Sequence, residues 1–248
     1  MHRQTWIGLA LLSLAVVVPI EAGLVVTVPG TANIFDAGRL ASPRGDGTLP
    51  PSVTFSDGSV PYFVFNNEAG DVTFWNRAPS YGPEGSFDPG DGTYITGYSG
   101  SGLSGIAVDD RQMFLAGVFL GPTNPGAAPV NFNYTTTSPD ALSFSPLLGQ
   151  VFFIGDGLGT GLVAQQFFVP SGATRLFFGF ADGIPGFGVA SAPVSPDAYW
   201  DNSGSLTFAA DYLLTPEMLP PAETPEPLSF LLVGGGIAAL ALFRRRLA

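Results

Sequence analysis

The sequence contains no cysteine and no lysine, and its single histidine stands at position 2. Each absence excludes a class of chemistry. Without cysteine there is no disulfide framework, thiol nucleophile or thiolate metal site. Without a histidine beyond His2, histidine-based triads lack their base and His-ligated zinc sites lack their ligands. Charge is also scarce, at 12% of residues, and the balance is acidic, with a formal net charge of −11. From Gly23 to Pro227 five arginines face nineteen acids, a net of −14. A surface of that sign repels nucleic acid and anionic lipid and accepts divalent cations, so nucleic acid is not an expected partner. Long helical periodicity, an internal repeat and a phosphate-cradling glycine loop ahead of a helix are all missing.

Glycine (33), proline (23) and phenylalanine (21) are abundant instead. Short runs rich in Val, Phe, Thr and Tyr recur between turn signals at 60–65, 71–75, 113–120, 150–154, 165–169, 175–180 and 205–209. That spacing predicts an all-β sandwich. Several runs are nearly continuous in apolar residues, as expected of strands covered on both faces. Residues 23–51 read as a first strand followed by a loose loop through Arg44-Gly45-Asp46-Gly47. The predicted organisation is a signal peptide over 1–22, a β-sandwich domain over 23–215, a proline-rich spacer over 216–227, and a transmembrane segment with a basic tail over 228–248.

The terminal assignments have separate grounds. His2 and Arg3 precede an apolar stretch over 6–20, and the small residues Ala22 and Gly23 follow, the layout of a secretory signal peptide. At the other end Pro225-Glu226-Pro227 leads into an apolar run over 228–243 and then Arg244-Arg245-Arg246. Prolines keep the glutamate extended, the apolar run partitions into a bilayer, and the arginines hold the tail on the cytoplasmic side. This ordering resembles the PEP-CTERM sorting signal of Gram-negative bacteria. The resemblance implies export, transient residence in the inner membrane, processing by an exosortase-type enzyme, and a final place at the cell surface or in the extracellular matrix. Gly30-Thr31-Ala32-Asn33-Ile34-Phe35, Thr48-Leu49-Pro50-Pro51, Ser104-Gly105-Ile106 and Pro146-Leu147-Leu148-Gly149-Gln150 are also similar to stretches of exported PEP-CTERM proteins.

The most suggestive residues lie late in the domain. Asp182 follows the strand-like run 175–180, and Asp201-Asn202-Ser203-Gly204 precedes the last run. Carboxylate, amide and carbonyl oxygens are what calcium selects; Asp, Asn and Gly are equally the residues of an ordinary turn. Asn67-Glu68-Ala69-Gly70-Asp71-Val72-Thr73, Ser80-Tyr81-Gly82-Pro83 and Asp201-Asn202-Ser203-Gly204-Ser205 resemble stretches of the calcium-dependent, galactose-specific bacterial lectins. That resemblance implies a jelly-roll sandwich of the galactose-binding-domain type. It implies calcium held by side-chain oxygens of Asp182, Asp201 and Asn202 and by main-chain carbonyls of Tyr81 and Ala198, with sugar hydroxyls completing the shell. The chain departs from the lectins in carrying Asp201 for an asparagine, a longer loop between Asp182 and Asp201, and no histidine in 84–93.

Tyr199 and Trp200 are candidates to stack on a sugar or, equally, to cap the core. Asp88 and Asp91 read as a solvated turn or as further ligands. Asp109-Asp110 reads as a turn, because adjacent carboxylates on a strand point to opposite faces. Catalysis is not expected. The function expected is an exported surface or matrix binding protein that holds calcium and recognises polysaccharide. Two alternatives stay open: a structural matrix protein in which calcium only stiffens loops, and an exported glycoside hydrolase built on two carboxylates.

Overall fold

The computed structural model describes residues 23–42, 47–75, 80–87, 89–124, 126–184 and 186–212. The predicted signal peptide, the Pro225-Glu226-Pro227 motif, the 228–248 span with Arg244, Arg245 and Arg246, and Asp88 lie outside those residues. Among the described residues no helix is long and apolar enough to cross a membrane.

The fold is almost wholly β. Nine strands build two principal sheets: β1 (Leu24–Pro29), β2 (Ser52–Thr54), β3 (Tyr62–Thr73), β4 (Leu115–Leu120), β5 (Ser143–Phe144), β6 (Val151–Phe153), β7 (Gln166–Phe168), β8 (Arg175–Phe180) and β9 (Ser203–Tyr212). The first sheet has the order β1-β9-β3-β7-β5 and the second β6-β4-β8-β2. All pairings in them are antiparallel except β5 with β7.

Sequence pattern and burial agree strand by strand. In β3, Phe63 and Phe65 are buried while Tyr62 and Val64 are less so, and in β9 Leu206, Phe208 and Ala210 are buried alternately. Period-two burial marks a sheet with one face on the core. β4 is buried at every position and β8 at all but its first, so these two central strands of the second sheet are covered on both sides, while the edge strand β2 exposes Ser52 and Thr54.

Phenylalanine fills the space between the sheets. Phe63 meets Phe119 at 6.1 Å, Phe65 meets Phe178 edge-on at 5.8 Å, Phe178 meets Phe208 at 5.1 Å and Phe152 meets Phe167 at 5.5 Å. Such pairs add about 0.5–1.5 kcal/mol each beyond the area they bury. With no cysteine to cross-link the chain, this aromatic layer is the main cohesive element.

The segment after β1 corrects the expectation of a loose loop. Ala32, Asn33, Ile34, Phe35, Asp36 and Ala37 are all buried, and Ile34–Asp36 forms a 3₁₀ turn capped by the Asn33 side chain, whose oxygen accepts from the Phe35 amide at 2.9 Å. The turn packs on the outer face of β8 and β4. Gly179 permits this, since a Cβ there would meet the Ala32 carbonyl oxygen at 2.7 Å and the Ile34 nitrogen at 2.9 Å. An apolar sequence run bracketed by Gly30 and Gly38 was hidden within a stretch otherwise rich in turn residues.

Candidate metal and ligand site

The end of β8 and the start of β9 meet at one pole of the sandwich. Beyond Phe180 the chain enters a long excursion that returns through a short ladder of Gly183–Ile184 with Ser195–Pro196. It then forms a 3₁₀ turn over Tyr199–Asp201 before β9 begins. The turn is entered at Ala198, whose φ of +74° is unusual for a residue with a side chain. The Asp197 carboxylate accepts from the Ala198 amide at 3.0 Å and steadies that bend.

Asp182, Asp201 and Asn202 are all buried at this pole, at 3%, 7% and 5% exposure. The Asn202 side-chain amide donates to Asp182 Oδ2 at 2.9 Å, and the Gly183 amide donates to Asp182 Oδ1 at 2.7 Å. Asp201 Oδ1 accepts from the Trp75 amide at 3.2 Å. Asn202 Oδ1 is buried without a hydrogen-bond partner. A buried carbonyl-type oxygen on a side chain that is hydrogen-bonded to a buried carboxylate is a condition that a hard cation relieves, because an unsatisfied buried acceptor costs on the order of 1–3 kcal/mol.

The two main-chain candidates are partly engaged. The Tyr81 carbonyl accepts from the Val72 amide at 2.9 Å, and the Ala198 carbonyl accepts from the Asp201 amide at 3.3 Å. Each carbonyl oxygen has a second lone pair. Tyr81 sits across β3 from Gly204, since Val72 bridges Tyr81 on one side and pairs Gly204 on the other. The structure therefore joins Asp182 and Asn202 directly and ties Asp201 to the end of β3, with Tyr81 one strand away. Among the described residues no group of three or more His, Cys, Asp or Glu side chains is arranged around one point; the candidate set holds two carboxylates, one amide and two carbonyls.

Of the two roles read for Tyr199, stacking on a sugar or capping the core, its position fits the second. Its ring is fully buried. Its hydroxyl donates to the Phe180 carbonyl at 3.0 Å and accepts from the Asp182 amide at 3.0 Å. Burial, reinforced by the Asp182 charge, pushes its hydroxyl well above the ordinary tyrosine range. It is a strut that fixes Asp182 in place. Trp200 is 68% exposed, and of the pair it alone presents its ring at the surface.

Asp109 and Asp110 form the expected turn. Asp109 accepts from the Tyr94 hydroxyl, and Asp110 Oδ1 accepts from the Gly90 amide at 2.7 Å. The Asp109 bond and burial raise the Tyr94 hydroxyl to about 12. Asp91 is exposed and lines a neighbouring cleft.

That cleft has a volume of about 690 Å³. Sequence reading missed it. One wall is Phe74, Trp75, Tyr81, Ser86 and Phe87; the other is the Asp182–Asp201 excursion, through Phe187, Val189 and Val194. The excursion is held there by backbone bonds from the Tyr94 amide to the Phe187 carbonyl at 2.7 Å and from the Thr96 amide to the Val194 carbonyl at 2.8 Å. The signal was the length of the loop between Asp182 and Asp201, which read only as a departure from the lectins and is one side of a cleft. In comparisons with known proteins, no family model, curated protein or solved structure matches the chain.

Proposed function

We propose that the chain is an exported, non-catalytic binding module of the cell surface or exopolysaccharide matrix, which holds calcium at the β8–β9 pole and recognises carbohydrate through it. Its sandwich is read as a jelly roll of the galactose-binding type, and its C-terminal segment as a PEP-CTERM sorting signal. The observation that carries the reading is the buried trio Asp182, Asp201 and Asn202 with the Asn202 amide oxygen left unpartnered. Asp182 and Asp201 would neutralise the ion, Asn202 Oδ1 would supply a neutral oxygen, and the Tyr81 and Ala198 carbonyls would tie the surrounding loops to it. Bound calcium supplies coordination positions that sugar hydroxyls can fill.

A structural reading has its own support. The rim is already cross-linked without an ion, by Asn202 to Asp182 and by Trp75 to Asp201, so calcium could serve only to stiffen it. Calorimetric titration of the purified protein with calcium, wild type beside Asp201→Ala, tests the shared premise. Binding in the wild type and its loss in the variant are expected. No heat at millimolar calcium would remove the ion from the account. Terbium luminescence lifetimes then separate the two readings: an ion that keeps water in its shell can take a sugar, and a fully dehydrated one cannot.

A further inference from the structure

The cleft beside the candidate metal site is built from ring faces. Phe74 stacks on Tyr81 at 5.4 Å with planes 14° apart, and Phe187 closes on Phe74 edge-on at 5.3 Å. These three rings largely occupy one another and form the floor. Trp75 meets Phe74 edge-on at 5.6 Å, yet Trp75 and Phe87 stay 50% and 68% exposed at the cleft mouth. Ser86, Gln112 and Asp91 supply the polar groups of the lining, together with the backbone of Gly186 and Gly188. Among the described residues no basic side chain lines the cleft; the Arg111 guanidinium stands 6.0 Å from the Phe87 ring centroid and is paired with Glu84 and Asp140. A few polar groups on an aromatic surface is the make-up of a small-molecule site, and the volume falls within the roughly 300–1,000 Å³ of such sites.

Trp75 is held in place in an unusual way. Its φ of +58° is in the left-handed region, which costs a bulky residue on the order of 1 kcal/mol or more. The amide of this same residue donates to Asp201 Oδ1. One carboxylate therefore serves the candidate ion and the strained backbone that presents the indole. Tyr81 likewise belongs both to the candidate ligand set and to the cleft floor.

We propose that the cleft is an extended subsite for neutral pyranose oligomers, with Trp75 and Phe87 as stacking platforms, and that metal at Asp182, Asp201 and Asn202 fixes Trp75 in its presenting position. This rests on the calcium reading above. The axial C–H groups of a pyranose carry slight positive charge and suit the negative face of an aromatic ring. Among the described lining residues anionic sugars find no countercharge, since Arg111 beside Phe87 is already paired with Glu84 and Asp140, and the net charge of −14 from Gly23 to Pro227 repels them. A compact cation held by ring faces is a poorer match, because the floor rings face each other and the opening is wide. The volume is more than a single hexose requires, so oligomers should gain over monomers.

The test uses the full chain carrying 5-fluorotryptophan, with the Trp75 fluorine resonance assigned through Trp75→Phe. Calcium should shift that resonance, and cello- or galacto-oligosaccharides of three or four units should shift it again, at least tenfold more tightly than the monosaccharide. Trp75→Ala and Phe87→Ala should each weaken oligosaccharide binding about tenfold while leaving calcium affinity, measured separately by calorimetry, within about twofold. Phe87→Ala, at an exposed position, keeps the test open if Trp75→Ala fails to fold. Calcium binding with no oligosaccharide response at Trp75 would overturn the subsite and leave the calcium reading standing. A sugar response that persists in chelator would overturn the coupling, and a response to choline in place of sugar would overturn the ligand class. Loss of calcium binding in the wild type would instead sink the parent reading.

Discussion

Tyr199 shows how much can depend on one hydroxyl. It satisfies the Phe180 carbonyl and the Asp182 amide together, in a place that water does not reach. Tyr199→Phe leaves both groups without that partner, and stability should fall by about 1–3 kcal/mol, read as a lower urea midpoint at unchanged slope. Asp36 poses the opposite problem. It is fully buried, 3.6 Å from the Arg39 guanidinium and 3.3 Å from the Asn33 amide. Burial nevertheless raises its carboxyl above the ordinary 3.8, against the lowering effects of Ser42 and Arg39. The folded state therefore binds this proton more tightly than the unfolded state. The resulting stabilisation is complete below pH 3.8 and is lost as pH rises through the folded value. Asp36→Asn should remove that slope. The difference between wild-type and variant unfolding free energy, followed from pH 3 to 7, is the measurement, and a constant difference would contradict it.

At the level of elements, β3 and β9 set the geometry of the pole. They pair from Thr73 with Ser203 to Phe63 with Tyr212, with an irregularity between Thr207 and Ala209. Gly204, the second residue of this ladder, has φ +83°, and a Cβ there would come within 2.2 Å of the Asp71 carbonyl oxygen. Gly204→Ala should therefore cost on the order of 1–3 kcal/mol and also weaken calcium binding, because Asn202 and Asp201 lie immediately upstream. Thermal melts with and without calcium would show both effects. The strands themselves were largely legible: Arg175–Phe180 has the predicted bounds, and the runs at 113–120, 150–154 and 165–169 contain β4, β6 and β7. The join of 60–65 and 71–75 into one long β3 was not, because Asn66-Asn67-Glu68-Ala69-Gly70 reads as a break. Its polar side chains carried no apolar signal, although Asn66, Ala69 and Gly70 pair with β9 on either side of the irregularity. Asp182, Asp201 and Asn202 were legible only through the lectin resemblance, because Asp, Asn and Gly also build ordinary turns; their burial at one pole is what the fold adds. The cleft was not legible, because Trp75 and Phe187 are more than a hundred residues apart and only the tertiary fold brings them together.

For the molecule as a whole, acidity and the absence of disulfides make an ion a natural source of stability. If calcium binds only the folded state, a concentration one hundred times the dissociation constant adds about 2.7 kcal/mol. For a domain of this size that raises the melting temperature by roughly 5–10 °C, and a chelator should reverse it. Calorimetric scans in calcium, in magnesium and in chelator would check both the size and the selectivity. The position of β9 in the first sheet has a further consequence. It begins at Ser203, beside Asp201 and Asn202, and runs to Tyr212 between β1 and β3. At about 3.3 Å per residue, it puts its two ends roughly 30 Å apart. Were the protein tethered beyond Tyr212, a tug on a sugar gripped at Asn202 would travel down one covalent backbone. No strand would have to be peeled from its neighbour for the grip to hold under flow.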